Sequence, residues 1–345
     1  MKIISLYLLS FILLAFVFAS CETSTEALEI QKLKTYNEQY FENLRAFKKS
    51  DHCLSFGWYA AYAPLEGVKG YKDPASWGER IAGLPDSLDI CSLWMGIPSK
   101  DPASSSYAPV AYADMIYAQK VKGIRFVAPS IVRMNHTITL KDGTIYDLSQ
   151  HHDSLGITVY GQYLVDQVID ADLDGIDLDY EPEGDWMKEG YFTKLVAYIG
   201  AYFGPKGKYP EKLLCVDFYS LVPLKETDPY VNYYIRQCYS AGSASSLQSQ
   251  YNSLSWTSSS KYIVTETFGD NYANGGVLFT EVDGNTKTTN GSPMYSLEGM
   301  ARWNPTQGRK GGFGAFYFDR DYFSSTGIPY YNMRRCIQIA NPAIR

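Results

Sequence analysis

Three acidic residues recur at every second position in one short stretch of the chain. Asp177, Asp179 and Glu181 lie within residues 173–183. In an extended strand successive side chains point to opposite faces, so these three carboxyl groups project from the same face. Neighbouring negative charges raise each other's pKa, and acid pKa values pushed apart in this way give a site a proton donor at neutral pH. The spacing therefore predicts acid–base chemistry on one strand.

Eight stretches of the chain have the length and apolar content of buried strands, and the acidic stretch is the fourth of them. They are residues 53–60, 89–96, 123–132, 173–181, 213–219, 234–240, 261–268 and 312–319. Segments with helical periodicity lie between several of them, at residues 112–122, 158–172, 190–203, 245–254 and 295–303, with a closing helix near 331–340. Apolar strands that alternate with helices predict a (β/α)8 TIM barrel. A doubly wound open sheet is the alternative, but no glycine-rich phosphate loop follows the first strand.

Two insertions carry the turn signals of β-hairpins. Residues 137–140 and 144–146 flank an Asp-Gly turn, and residues 277–282 precede a second Asp-Gly turn. The insertions follow the third and seventh predicted strands. In a barrel these positions open onto the C-terminal face, where active sites are built. We therefore expect both hairpins to wall a substrate groove.

The acidic stretch resembles a family signature. Residues 174–181 read Asp-Gly-Ile-Asp-Leu-Asp-Tyr-Glu and match the DGxDxDxE motif of glycoside hydrolase family 18, on the fourth strand as that family requires. The resemblance implies that Glu181 is the general acid/base, that Asp179 orients and polarises the 2-acetamido group of the substrate, and that Asp177 tunes Asp179. In this family the acetamido oxygen of the substrate is the nucleophile. No metal or organic cofactor is expected.

The residue pattern on the sixth predicted strand distinguishes subfamilies of this glycoside hydrolase family. Gln237 and Tyr239 share a face, and this Gln-x-Tyr pattern resembles that of endo-β-N-acetylglucosaminidases that cut the chitobiose core of N-glycans. Chitinases of the family usually carry Met-x-Tyr-Asp there. The resemblance implies that Tyr239 donates its hydroxyl to the acetamido carbonyl oxygen and that Gln237 binds the sugar at the cleavage subsite. The alternative is that both side chains simply fill the barrel interior.

Further candidates for substrate binding lie on other predicted strands, several at the C-terminal ends where barrel enzymes place their site residues. They are Trp58, Asp217, Glu266 and Tyr317. Aromatic residues at such positions are as often part of the core.

The first twenty residues have the pattern of a targeting segment. Lys2 precedes an apolar run at residues 3–18, which is too short to be read as a spanning helix. The run ends in Phe-Ala-Ser-Cys, which resembles a bacterial lipobox and implies a signal peptide over residues 1–20 with lipidation at Cys21. Residues 21–50 are expected to form a tether and an N-terminal helix, and residues 51–345 the catalytic barrel. We expect an outer-membrane surface protein, held there by its lipid anchor only.

The composition narrows the class of protein. The 345 residues carry a net charge of −6, which argues against nucleic-acid binding. Aromatic residues make up 15% of the chain, a share that suits stacking against sugar rings. The cysteines show neither metal-ligand spacing nor an even-numbered disulfide framework outside the lipobox, so no zinc site is predicted.

The leading hypothesis is a monomeric, retaining endo-β-N-acetylglucosaminidase that acts on N-glycans or other GlcNAc-containing glycans. One alternative is a chitinase-like hydrolase with the same carboxylates, which the missing Met-x-Tyr-Asp pattern disfavours. The other is a catalytically silent surface glycan-binding protein on the same barrel. Because Asp179 and Glu181 are both present, the sequence favours activity.

Overall fold

The computed structural model describes residues 36–59, 80–94, 96–181 and 190–342. The predicted signal peptide, Cys21 and most of the predicted tether lie outside these ranges. Within them, no helix combines the length and the apolar character needed to cross a membrane.

The core of the molecule is a closed barrel of eight parallel strands. In chain order the described strands are β1 (Leu54–Tyr59), β2 (Ile90–Leu93), β3 (Arg125–Ile131), β4 (Thr137–Thr139), β5 (Ile145–Asp147), β6 (Gly175–Tyr180), β7 (Leu213–Phe218), β8 (Tyr233–Gln237), β9 (Tyr262–Thr267) and β10 (Gly312–Phe316). All except β4 and β5 belong to the barrel, in the order β1-β10-β9-β8-β7-β6-β3-β2. The (β/α)8 TIM barrel predicted from the sequence is confirmed, and the acidic stretch forms its fourth strand, β6.

Helices pack around the barrel between its strands. The described α-helices are α1 (Glu38–Lys49), α2 (Pro109–Tyr117), α3 (Ser154–Asp170), α4 (Tyr191–Gly200), α5 (Ala244–Asn252), α6 (Ser296–Arg302) and α7 (Tyr331–Ala340). The barrel strands are buried on both faces, against the helices outside and against each other inside, and this is why they read as continuous apolar runs.

Strand register brings the predicted site residues to one level of the barrel. Asp179 on β6 lies beside Asp217 on β7 and beside Ile131 on β3. The pairing of β3 with β6 extends past the end of β3, because the Val132 N–H donates to the Asp179 carbonyl oxygen at 2.9 Å. Residues that follow β3 are thereby held next to the end of the acidic strand.

The first predicted hairpin is confirmed, and the structure shows where it packs. Strands β4 and β5 pair antiparallel, and Lys141 at the turn contacts Asp170 and Asp166 on α3, at 2.9 and 3.4 Å. The tip of the hairpin is thus tied to a helix outside the barrel, and it does not form the groove wall that we expected.

The second predicted hairpin takes a different form. The Asp-Gly turn is present, with the Glu281 N–H donating to the Asn285 carbonyl oxygen at 2.8 Å and Gly284 at φ 85°. Beyond Glu281 and Asn285, the residues on the two sides of the turn do not pair with each other. Both pair instead with residues 292–295, through the isolated bridges Leu278–Tyr295 and Lys287–Pro293. This correction arises because a later segment of the loop competes for the same backbone groups.

Helix α1 covers the opposite end of the barrel, where the strands begin. Asn37 caps it by accepting a hydrogen bond from the Tyr40 N–H at 3.0 Å, and Phe41 is among its buried residues. Lys48 donates to the Leu88 carbonyl oxygen at 2.6 Å, just before β2. The packing helix predicted after the tether is therefore present.

Candidate active site

The alternation of β6 directs its carboxylates into the barrel. Asp177 and Asp179 are 0% and 2% exposed, and Glu181 follows the last residue of the strand with its side chain about a quarter exposed. The intervening Leu178 and Tyr180 face outward into the main core. The prediction that the three carboxyl groups share a face is confirmed.

Asp177 lies deepest and is held by two donors. Trp58 Nε1 and Ser92 Oγ donate to its Oδ2 at 2.9 and 2.8 Å. Burial raises the pKa of Asp177 to about 7, although the hydrogen bond from Ser92 opposes the shift. Trp58 is only 1% exposed. The buried indole therefore orients Asp177, and its predicted contact with substrate stays a prediction.

Asp217 and Gln237 join the carboxylates from the next two strands. Gln237 Nε2 donates to Asp217 Oδ1 at 2.9 Å and lies 3.4 Å from Asp179 Oδ1. Burial, together with the charges of Asp177 and Asp179, raises the pKa of Asp217 well above its ordinary value. The buried carboxyl group of Asp217 therefore favours its protonated form.

Asp179 lies between the enclosed carboxyl groups of Asp177 and Asp217 and the partly exposed Glu181. Burial raises its pKa to about 6, while hydrogen bonding with Asp217 opposes the shift. A buried group of three aspartates that cannot all ionise retains a proton near neutral pH. The structure brings Asp217 and Gln237 together with Asp179, and their predicted contacts with substrate stay predictions.

Glu181 has a partner that the sequence analysis missed. Arg133 Nη2 forms an ion pair with Glu181 Oε2, and both side chains are partly exposed. Arg133 follows the end of β3 by two residues. The available signal was its position, because β3 and the acidic strand are neighbours in any barrel that follows the chain order.

An aromatic cluster borders the carboxylates at the C-terminal end of β10. The ring centroid of Phe316, a half-buried residue, lies 5.4 Å from that of Trp94, 6.1 Å from that of Tyr239 and 4.0 Å from that of Tyr317. The planes of Phe316 and Tyr239 differ by only 15°. Phe316 was also missed, because it is the last residue of an apolar run and reads as core. The cluster offers an apolar surface of the kind that receives a sugar ring.

Tyr239 presents a hydroxyl group beside the carboxylates. Burial, and after it the charges of Asp217 and Asp179, raise the pKa of Tyr239 well above its ordinary value, so the phenol remains a proton donor. Across the part of the chain that the structure describes, this hydroxyl has no hydrogen-bond partner. Tyr317 lies at the edge of the cluster, in the left-handed region at φ 51°, with the Arg320 guanidinium 4.6 Å from its ring.

Glu266 braces the loop behind Tyr239. Its Oε1 accepts from the Ser240 and Thr267 N–H groups, each at 2.7 Å, and Ser296 Oγ donates to its Oε2. The side chain is fully buried, and burial raises its pKa. Both oxygens are occupied by internal donors, so the structure gives Glu266 a supporting role. Its predicted contact with substrate stays a prediction.

Sequence comparisons place the chain among carbohydrate-active barrels. A family model described as the endo-beta-N-acetylglucosaminidase EndoS TIM-barrel domain matches residues 57–315. Endo-beta-N-acetylglucosaminidase F2 of Elizabethkingia meningoseptica is 24% identical over 319 residues, which cover 88% of this chain and 87% of that protein.

Solved structures share the fold. An endo-beta-N-acetylglucosaminidase from Cordyceps militaris aligns with a TM-score of 0.65 at 21% identity, over 90% of this chain and 98% of that one. A GH18 chitinase from Pseudoalteromonas aurantia aligns with a TM-score of 0.51 at 14% identity, over 83% of this chain and 99% of that one.

Proposed function

Because the chain belongs to the family of the EndoS endo-β-N-acetylglucosaminidase TIM-barrel domain, within glycoside hydrolase family 18, we propose that it cleaves the β-1,4 bond of the N-glycan chitobiose core. The bond lies between the two GlcNAc residues next to asparagine. The observation that carries the proposal is the set of inward carboxylates on β6, completed by Gln237 beside Asp179. The substrate of the relative supports it, since that protein is named for the same bond class.

The reaction uses the acetamido group of the substrate as its nucleophile. Glu181 gives its proton to the glycosidic oxygen while the acetamido oxygen attacks the anomeric carbon, and the leaving GlcNAc departs with its peptide. Asp179 accepts a hydrogen bond from the acetamido N–H as positive charge forms on the oxazolinium ring. Glu181 then takes a proton from water, which opens the ring at the anomeric carbon with net retention.

The surrounding residues fit the demands of these steps. A protonated Asp217 donates to the other aspartates without adding a third negative charge, and Tyr239 has a free hydroxyl for the acetamido carbonyl oxygen. Phe316 and Trp94 provide an apolar surface under the sugar. Arg133 holds Glu181 in place through their ion pair.

The experiment is incubation of the protein with high-mannose and complex N-glycoproteins, in parallel with chitin oligomers and a Glu181→Gln variant. We expect glycan release by the wild type, a loss of at least 100-fold in the variant and little action on chitin. Binding without release by the wild type would remove the enzymatic proposal, and preferential cleavage of chitin oligomers would replace the substrate.

The location of the protein is part of the same proposal. The lipobox-like segment that ends at Cys21 supports lipidation and attachment to the outer membrane. Metabolic labelling with a fatty acid tests this: label is expected in the wild type and is expected to be absent from a Cys21→Ala variant. Equal labelling of both proteins would remove the anchor.

A further inference from the structure

A second cavity lies at the N-terminal end of the barrel, away from the carboxylate cluster. Its volume is about 560 Å³, and residues of α1 and the starts of several barrel strands line it. Six cationic side chains face it, and they are Arg45, Lys48, Lys49, Arg125, Arg309 and Lys310. Asp51 and Asp89 are the two carboxylates among the lining residues. In a chain with a net charge of −6, this concentration of positive charge is unusual.

Both carboxylates are already engaged. Asp51 forms an ion pair with Arg309, and Asp89 contacts His52 at 2.9 Å. Asp89 also accepts hydrogen bonds from the N–H and the hydroxyl of Ser55, at 2.8 and 2.9 Å. Neither acid forms an ion pair with Lys48, Lys49, Arg125 or Lys310, although the Asp89 charge acts on Lys48 from a greater distance.

Four of the cations lack a carboxylate within 4 Å in the described ranges of the chain. They are Lys48, Lys49, Arg125 and Lys310. Lys310 is only 2% exposed, and its Nζ donates to the Ala301 and Trp303 carbonyl oxygens at 3.0 and 2.6 Å. Carbonyl oxygens satisfy hydrogen bonds but supply no counter-charge, so Lys310 is buried without a carboxylate partner in the described ranges.

The Arg125 side chain faces the inside of the barrel at its N-terminal end. It is the first residue of β3, and Val127, two residues later on the same face of the strand, belongs to the apolar cluster inside the barrel. Its neighbour is Tyr233 at the start of β8, whose pKa is raised by burial while the Arg125 charge opposes the shift. Burial lowers the pKa of Lys48 to about 7; the charges of Asp89 and Asp86 oppose this shift, and those of Lys122 and Arg125 add to it. The cavity thus holds mutually repelling cations at close quarters.

We propose that this cavity binds a phosphate group, either free or as part of a larger molecule. A phosphate dianion supplies the counter-charge that Arg125 and Lys48 lack, and guanidinium and ammonium groups are its usual protein ligands. The cavity is larger than phosphate alone, so there is room for an organic group attached to it. The inference is independent of the activity proposed for the opposite end of the barrel.

The test is calorimetric titration of the full chain with inorganic phosphate at constant ionic strength, with chloride as the reference anion. We expect saturable binding by the wild type and at least tenfold weaker binding by Arg125→Gln and by Lys48→Gln. Lys287→Gln, at a position outside the cavity, is the matched control and should bind as the wild type does. Absence of saturable binding by the wild type, or wild-type affinity in both cavity variants, would overturn the proposal.

Arg125 lies within the barrel, so its substitution can also disturb folding. Lys49 is exposed on α1, and Lys49→Gln provides a variant that leaves the barrel intact. We expect it to weaken phosphate binding severalfold, with circular dichroism unchanged. If Lys49→Gln and Lys48→Gln both retain wild-type affinity in a folded protein, the cavity is not the binding site.

Two sources of phosphate are distinguished with phosphatidylglycerol vesicles. Co-sedimentation is compared between wild type and Arg125→Gln, which share the same N-terminal segment, so any contribution of a lipid anchor cancels. Arg125-dependent sedimentation that inorganic phosphate competes away identifies lipid headgroups as the ligand. Phosphate binding in solution without Arg125-dependent sedimentation identifies a soluble phosphate compound.

Discussion

Four acidic side chains share one end of the barrel, and burial raises the pKa of the three aspartates among them. Asp177 and Asp217 are enclosed, Asp179 lies above them, and Glu181 reaches the surface beside Arg133. The face shared by the β6 carboxylates followed from residue spacing alone. The proton retained by Asp217 did not, because it depends on a register with β7 that places two other carboxylates against it.

If Asp217 is neutral in the reaction, its amide variant should keep most of the activity. Asp217→Asn keeps an acceptor for Gln237 and a donor for the other aspartates, so we expect kcat/KM to fall by less than about tenfold. For Asp179→Asn, which removes a charge used in the reaction, kcat/KM should fall by at least about 100-fold. Steady-state kinetics on one glycopeptide compare the two. Equal losses would show that Asp217 acts as an anion.

The raised pKa of Asp179 predicts how stability depends on pH. An acid whose pKa is higher in the folded than in the unfolded protein destabilises the fold as pH rises from about 4 to about 6, because the unfolded chain ionises first. Asp179→Asn removes this cost, which reaches about 3 kcal/mol for an isolated shift of this size. The variant should therefore gain stability relative to wild type between pH 4 and 6, measured by urea unfolding. A constant difference would contradict the raised pKa.

Arg133 is predicted to act through Glu181. Arg133→Ala should lower kcat about tenfold or more, because the Glu181 carboxylate loses the partner that holds it in place. Lys141→Ala, at the hairpin tip outside the barrel, should leave kcat unchanged. A change in KM alone would indicate that Arg133 only contacts substrate.

At the scale of elements, the eight barrel strands and the helices between them could be predicted because each carries its signal locally. The ends of the strands were predicted less accurately. The sixth barrel strand, β8, was predicted over residues 234–240, but it begins at Tyr233 and ends at Gln237, before Tyr239. The predicted strand pairing of the second hairpin was wrong, because residues 292–295 pair with the backbone on both sides of the turn. The site residues that escaped prediction, Arg133 and Phe316, carry no pattern and acquire a role only from neighbouring strands.

The loop between β8 and α5 depends on Glu266. Its carboxylate accepts hydrogen bonds from two backbone N–H groups, including that of Ser240, which has φ 57°. Glu266→Ala leaves these donors without a partner and should lower the free energy of unfolding by about 2–4 kcal/mol. Urea unfolding measures the change, with Glu226→Ala at an exposed position as the control. A loss below 1 kcal/mol would show that the brace is dispensable.

At the scale of the whole molecule, the barrel separates two charge environments. Its C-terminal end gathers acids and aromatic rings, and its N-terminal end gathers cations under α1. The acidic end was predictable, since all its carboxylates lie on strands with readable periodicity. The cationic end was not, because Arg45, Arg125 and Arg309 are far apart in the chain and meet only when the barrel closes.

The central claim is cleavage within the chitobiose core by Glu181. The most direct measurement is mass spectrometry of both products from a single N-glycopeptide incubated with wild type and with Glu181→Gln. We predict that the wild type leaves one GlcNAc on asparagine and releases a glycan that ends in the other GlcNAc, and that the variant leaves the glycopeptide intact. A peptide that loses both GlcNAc residues, or a variant that cleaves as fast as the wild type, would contradict the account.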